Sequence, residues 1–280
     1  MRIALIADIH ANLPALEAVL LAIRQKHKPD MILSLGDQIN LGPCPRETLA
    51  LLRDHHVVCL HGNHEGYVLA AMKGDPAYDG ANFSAVRWNA HRLSEAEITF
   101  PQTYELGGVT FCHAMPGNDR FPVHDVHKAL PLLQKMTFDR PTHIICGHGH
   151  NPSHYRVGNL TLDCIGSVGC MDDAPPGIAP YVLLTIDRFG AALEPFFAGY
   201  DVCALKPLFL SSGMAESCPV MSHLISLQMT TNHDYLLPFV QLAWSLARSR
   251  RQDMISEDVW QETDRIFAWP DGVSTHSYWR

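Results

Sequence analysis

The sequence predicts a mixed α/β fold, with one mixed sheet or two packed sheets and helices outside. Three observations carry this. Short apolar runs alternate with helical patterns in the first half, later apolar runs pair locally as hairpins, and the final stretch reads as helical.

The first apolar run is RIALIA (2–7), followed by a helical pattern with Leu16, Val19, Leu20 and Ile23 at three- and four-residue spacing. MILSL (31–35) precedes the helix-like ETLALLRDH (47–55), and VVCL (57–60) precedes a helix from about Gly66 to Met72. VTFC (109–112) is the fourth run. A helical stretch over Val126–Met136 leads to the fifth, HIIC (143–146). YRVG and LTLDC predict a hairpin around Gly158-Asn159, and YVLLTID (181–187) with ALEPFF (192–197) predicts another, turned at Phe189-Gly190. DDAPPGIAP (172–180) reads as a loop. Beyond Tyr200 the character changes. PFVQLAWSLARSRR (238–251) and SEDVWQETDRIFAW (256–269) are helical, and Ser256 with Asp258 can cap the second. The chain divides into a main domain over 1–200 and a helical extension over 201–280, either a cap on a cleft of that domain or a dimer contact.

Composition excludes several function classes. The chain has 280 residues, 47% of them hydrophobic, enough for a substantial core. No apolar run approaches the roughly 20 residues that span a bilayer. The opening MRIALIADIH is too short in apolar residues for a signal peptide. Eight cysteines without a CxxC pair fit reduced thiols in a cytosol. With a net charge of −8, and only Arg248, Arg250 and Arg251 as a basic cluster, the chain offers no footprint for duplex nucleic acid. The count of 17 histidines is the unusual feature.

Every one of the five apolar runs ends in residues able to hold a metal. They are Asp8 and His10, Asp37, Asn63 with His64, His113, and His148 with His150. In open α/β sheets, sites form beyond the carboxyl ends of the strands, so five segments would deliver these side chains to one edge. Asp8 and His10, spaced by one residue, would face the same side of an extended backbone, and so would His148 and His150. Asp8, His10, Asp37, Asn63, His113, His148 and His150 are too many ligands for one ordinary ion and suit two that share a bridge. Their oxygen and imidazole donors fit Mn, Fe or Zn. Two such ions carry more positive charge than Asp8, Asp37 and one bridging hydroxide cancel, so a phosphate anion is the expected guest. Each motif alone has a plainer account. A Gly-Asp after a strand is usually a turn, and a single His is usually packing. His27, His223, His233 and His276 read as solvated, and His124, His143 and His154 have no partner pattern.

The order DxH, GD, GNHE, H, GHGH resembles the calcineurin-like metallophosphoesterases. MRIALIADIHANLPALEAVL and LSLGDQINLGPCPRETLALLR look like their small bacterial phosphodiesterase and phosphatase branch. The resemblance covers about residues 1–200 and implies a four-layer αββα sandwich. It also implies that Asp8, His10 and His150 hold one metal, that Asn63, His113 and His148 hold the second, and that Asp37 bridges. His64 would stand beside the metals as a non-ligand and assist a bridging hydroxide that attacks phosphorus in line. Glu65 would orient a ligand. Glu65 stands where Asp is commoner, Ala11 replaces the usual Gly, and HAMPG (113–117) stands where relatives often read HGSP. These loops border the substrate. Asn12 and Arg120 are the candidate substrate contacts, though an exposed polar loop is the plainer account of Arg120.

The implied activity is hydrolysis of a small phosphodiester or phosphomonoester. Narrower alternatives are a dinucleoside polyphosphate hydrolase, with Tyr67, Trp88 or Phe121 stacking on a base, and a protein Ser/Thr phosphatase. The alternative from another class is a non-catalytic scaffold of the same fold, as in the metallophosphoesterase-like retromer subunit.

Overall fold

The computed structural model describes residues 1–270 and 272–280. The first half alternates as its patterning predicts, through β1 (Arg2–Ile6), α1 (Leu13–Lys26), β2 (Met31–Ser34), α2 (Pro45–Asp54), β3 (Val58–Cys59) and α3 (Asn63–Met72). The short helices α4 (Ser84–Ala90) and α5 (Glu95–Ile98) follow. Next come β4 (Thr103–Leu106), β5 (Val109–Cys112), α6 (Val126–Leu133) and β6 (Thr142–Cys146). Two antiparallel hairpins come after them, β7 (Ser153–Val157) with β8 (Leu160–Cys164), and β9 (Ile178–Asp187) with β10 (Gly190–Gly199). β4 is not foreseen from the sequence. It is an edge strand with its Thr and Glu exposed, so TYEL shows no apolar run. Strand β9 begins at Ile178, inside the stretch read as a loop, because it pairs with β10 along its full length.

The strands form two five-stranded sheets, in the orders β10-β9-β1-β2-β3 and β4-β5-β6-β8-β7. Each is mixed. β1, β2 and β3 run parallel in one, and β5, β6 and β8 in the other. Ile3, Leu5, Leu33, Val109, Phe111 and Ile145 lock the two sheets face to face. Helix α1 buries Leu16, Val19, Leu20 and Ile23 against the outer face of the first sheet. Helix α6 packs Ala129 and Leu133 on the outside of the second. The result is the αββα sandwich. The interleaved sheets explain why the early strands read as continuous apolar runs, since both of their faces are covered.

Helix α1 starts where Asn12 accepts a hydrogen bond from the Ala15 N–H at 3.2 Å, with Pro14 in the first turn. Asn12, a candidate substrate contact from the sequence, is here the N-cap of α1. Its side chain is fully buried, and its amide donates to the Gly169 carbonyl at 2.9 Å and the Tyr200 hydroxyl at 3.3 Å. Helix α3 starts three residues earlier than its apolar pattern suggests. The Glu65 carboxylate reaches back to the Gly62 N–H at 2.9 Å and fixes the first turn.

The remaining helices are α7 (Leu205–Ser211), α8 (Met214–Ser217), α9 (Pro219–Thr231), α10 (Leu236–Ser249), α11 (Glu257–Ile266) and α12 (Thr275–Tyr278). Leu224, Ile225, Phe239, Ala243, Val259 and Trp260 form their core, joined by Ala81, Ala85 and Trp88 from around α4. Ser256 caps α11, as expected. His223 is not solvated. It is buried, stacked between Trp269 and Tyr278 with ring centroids 4.0 Å away on both sides, and its Nδ1 lies 3.0 Å from the Thr275 hydroxyl. No helix among the described residues is long and apolar enough to cross a membrane.

Phe111 is buried between the sheets with no exposed surface. Replacement by Ala is expected to cost about 3–5 kcal/mol. Urea unfolding of Phe111→Ala beside the parent protein checks this, and a loss below about 1 kcal/mol would mean the sheets do not share one core.

Candidate metal centre

The parallel strands end in register, Ile6 opposite Ser34 and Cys112 opposite Cys146. Beyond these ends the loops stay stitched together. The Asp8 N–H donates to the Gly36 carbonyl at 3.1 Å, the His10 N–H to the Asp37 carbonyl at 3.0 Å, and the Gly147 N–H to the His113 carbonyl at 2.8 Å. Five segments thereby meet at one edge.

The backbone there is not extended. Asp8, His10, Asp37, His148 and His150 all have left-handed φ angles, between 50° and 63°. The expectation that the one-residue spacing acts through a pleated strand is therefore corrected. β1 ends at Ile6 and β6 at Cys146, and the paired side chains converge by left-handed turns. Such conformations cost free energy and concentrate at functional sites. Gly36, with φ at 104°, lies where a Cβ would come within 2.6 Å of the His113 ring. At Gly62 a Cβ would stand 2.2 Å from an Asp37 carboxylate oxygen. Both glycines are there for close approach.

The seven residues expected as ligands gather in this space. Asp8 and His10 have no exposed surface, while Asp37, Asn63 and His113 retain 1–3%. Three sets of ligand atoms lie within 4.8 Å of one another, namely Asp8, His10 and His150, then Asp37, His113 and His148, then His10, Asp37 and His64. His10 Nε2 lies 3.1 Å from His150 Nε2, and His113 Nε2 lies 2.7 Å from Asn63 Oδ1 and 3.3 Å from Asp37 Oδ2. Imidazole nitrogens turned toward each other, with a buried carboxylate and an amide oxygen beside them, are what a cation gathers. The residues thus fit divalent ions.

The electrostatics agree. Burial is the main reason the imidazoles of His148 and His150 are pushed down, to about 3 and about 4, so both remain neutral and free to coordinate. Burial works against the Asp37 carboxylate, but His113 and His64 outweigh it and hold the group well below the usual range. His113 shows the reverse. Burial alone would lower it, yet Asp37 and Asp8 raise it to about 10. The carboxylates therefore retain a proton on His113, and a divalent cation in its place would release it.

Glu65 holds this arrangement together. Its two oxygens accept from the backbone N–H groups of Asp37, Gln38, Ile39 and Gly62, at 3.0, 2.9, 3.3 and 2.9 Å. Burial and the nearby Asp37 charge push its carboxyl up to about 7, against donors that favour the ionised form. The longer Glu lets one side chain in the first turn of α3 pin the Asp37 loop.

His64 sits at the edge of the cluster, its Nε2 3.9 Å from Asp37 Oδ2. Asn40 donates its amide to His64 Nδ1 at 2.8 Å, and Asn89 donates to Asn40 Oδ1 at 3.4 Å. That chain leaves the imidazole proton on Nε2, toward the cluster. Asn40 was not singled out in the sequence, although its place three residues after Asp37 on the same loop is the signal that could have found it. Burial lowers the His64 pKa. Arg120 stands at one remove. Its guanidinium lies 4.6 Å over the Tyr67 ring and 3.4 Å from the Tyr78 hydroxyl, and its side chain is largely exposed.

A cavity of about 450 Å³ opens from Asp37, Asn63, His64, His148 and His150 and runs beneath α9 and α10. Tyr67 and Phe83 line it. The other proposed stacking residues do not, since Trp88 and Phe121 are buried in separate cores. His124 also lines it, 5.7 Å from the His148 ring, although it was set aside in the sequence for lack of a partner pattern. Asp172 places Oδ2 4.0 Å from His150 Nδ1 and accepts from the Gln228 amide of α9 at 3.4 Å. Burial and Asp234 push its carboxyl up to about 6.

Residues 1–175 match the family described as calcineurin-like phosphoesterase. A curated relative, an uncharacterized protein of Methanocaldococcus jannaschii, is 30% identical over 169 residues, covering 57% of this chain and 67% of its own. Among solved structures, a metallophosphoesterase from Sphaerobacter thermophilus matches with a TM-score of 0.58 at 23% identity, over 81% of this chain and 99% of its own. A hypothetical protein from Pyrococcus horikoshii matches with a TM-score of 0.60 at 14% identity, over 83% of this chain and 99% of its own. The latter two show the fold.

Glu65→Gln replaces one acceptor oxygen by an amide that faces N–H donors. A loss of about 1–3 kcal/mol is expected from the mismatched buried group. Denaturant unfolding in chelator measures it apart from metal binding, and unchanged stability would mean Glu65 does not pin the loop.

Proposed function

Because this chain belongs to the calcineurin-like phosphoesterase family, we propose that it hydrolyses a small-molecule phosphate ester, diester or monoester, with two divalent ions in the buried cluster. The observation that carries this reading is the pair of ligand sets flanking one carboxylate. Asp8, His10 and His150 would hold one ion, and His113, His148 and Asn63 the other. Asp37, grouped with ligands of both, would bridge. The donors suit Mn, Fe or Zn. When bound, two such ions supply a nucleophile ionised near neutral pH and offset charge on the phosphoryl oxygens.

The chain's own residues do the rest. At the floor of the cavity the cluster presents the neutral imidazoles of His148 and His150 beside Asp8 and Asp37, so the cations are what draw a phosphate anion there. His64, its Nδ1 occupied by Asn40, directs Nε2–H toward the phosphate and stabilises a phosphoryl oxygen or the leaving oxygen. Delivery of a proton to the departing alkoxide requires the doubly protonated ring, with Nδ1–H turned to the Asn40 amide oxygen, and in that form the general-acid contribution is about 10²–10⁴-fold. Helices α9 and α10 limit water access from above.

A third grouping places His64 with His10 and Asp37, which would make it a ligand. Hydrolysis of bis-p-nitrophenyl phosphate and p-nitrophenyl phosphate with added Mn, with bound metal read in parallel, separates the roles. His64→Ala is expected to keep two metal equivalents and lose about 10²–10⁴-fold in kcat. Loss of a metal equivalent would make His64 a ligand.

A further inference from the structure

The cavity above the cluster is built unlike a site for polyphosphates. Its walls are mostly apolar, formed by Leu41, Phe83, Val86, Met221, Leu236 and Val240, with the uncharged amides of Asn82 and Gln228 and the His124 ring between them. Among the described residues that line it, none is Lys or Arg. Its carboxylates outside the ligand set are Asp172, beside His150, and Asp234, toward α10. Both are held in place, Asp172 by Gln228 and Asp234 by the Leu237 N–H at the start of α10, 3.0 Å away. At about 450 Å³ the cavity falls in the small-molecule range of about 300–1,000 Å³.

We propose that this cavity selects phosphate esters with one phosphoryl group and an uncharged, apolar organic part, and rejects substrates with a second phosphate. The inference rests on the phosphoesterase reading and narrows its substrate class. One phosphate is met at the cluster. A second, further along, would leave water for apolar side chains and two carboxylates, with no cationic side chain to receive it. Like charges set against each other in a desolvated site are how binding surfaces turn away a wrong partner. An apolar chain instead replaces water along walls that gain from being covered. The same logic ranks a dinucleoside polyphosphate below a simple ester, although Tyr67 and Phe83 offer aromatic surface.

Calorimetry on the Mn-loaded full chain tests this with methylphosphonate, hexylphosphonate and 1,6-hexanediyl bisphosphonate, which are not hydrolysed. Hexylphosphonate is expected to bind at least about tenfold more tightly than methylphosphonate, since one fitted methylene is worth about that much. The bisphosphonate is expected to bind at least about tenfold more weakly than hexylphosphonate. Leu237→Lys puts a cation on the lining at a position 55% exposed, where folding tolerates it, and should recover the bisphosphonate selectively. Equal affinity for the methyl and hexyl compounds, no binding of hexylphosphonate, or tighter binding of the bisphosphonate to the parent protein would overturn the proposal. Hydrolysis of the nitrophenyl esters is followed on the same preparation. Ligand selectivity without any ester cleavage would sink the activity reading and leave the cavity's preference standing.

Discussion

The structure depends on keeping the Asp37 carboxylate buried among His10, His64 and His113. A carboxylate with 1% exposure is costly unless positive charge or donors surround it. Several features serve that constraint. Glu65 pins the loop that carries Asp37, the His64 N–H donates to its Oδ1 at 2.9 Å, and Gly62 leaves room for its oxygen. The left-handed turns at Asp8, His10, His148 and His150 bring the other donors round it. The core between the sheets offsets that local strain by fixing the strand ends from which these turns start.

The helical extension gives the same site its surroundings. Its core is continuous with Ala81, Ala85 and Trp88, so α4 and the C-terminal helices pack as one layer over the cluster. Asp172 connects the two regions, facing His150 on one side and Gln228 of α9 on the other. A change in α9 can therefore reach the His150 imidazole through one carboxylate. The candidate ligands come from the sandwich, and the apolar walls of the cavity come from Leu41, Phe83 and Val86 together with Met221, Leu236 and Val240 of the helical extension.

Much of this was legible in the sequence, for physical reasons. Asp8, Asp37, Asn63, His113 and His148 stand out because each follows a buried strand, where packing has no use for a polar side chain. The two hairpins were legible from their turn residues. What escaped was the local geometry. The spacing of Asp8 and His10 suggests a pleat, whereas backbone hydrogen bonds to Gly36 and Asp37 bend the chain into left-handed turns. The capping role of Asn12 was readable, since a helix start at Leu13 and Pro14 requires an N-cap. His223 gave no sign of burial, because its aromatic partners Trp269 and Tyr278 lie far along the chain. The sequence leaves open whether the C-terminal helices cap the cleft or contact a second copy, since amphipathic helices show which face is apolar and not what it covers.

Asp37 as the shared centre of two metal positions is the central claim, and metal content tests it most directly. The parent protein and Asp37→Asn would be loaded with Mn, dialysed and measured by inductively coupled plasma mass spectrometry. The account predicts two equivalents in the parent and loss of both together in the variant. Two full equivalents retained by Asp37→Asn, or a single equivalent in the parent, would contradict it.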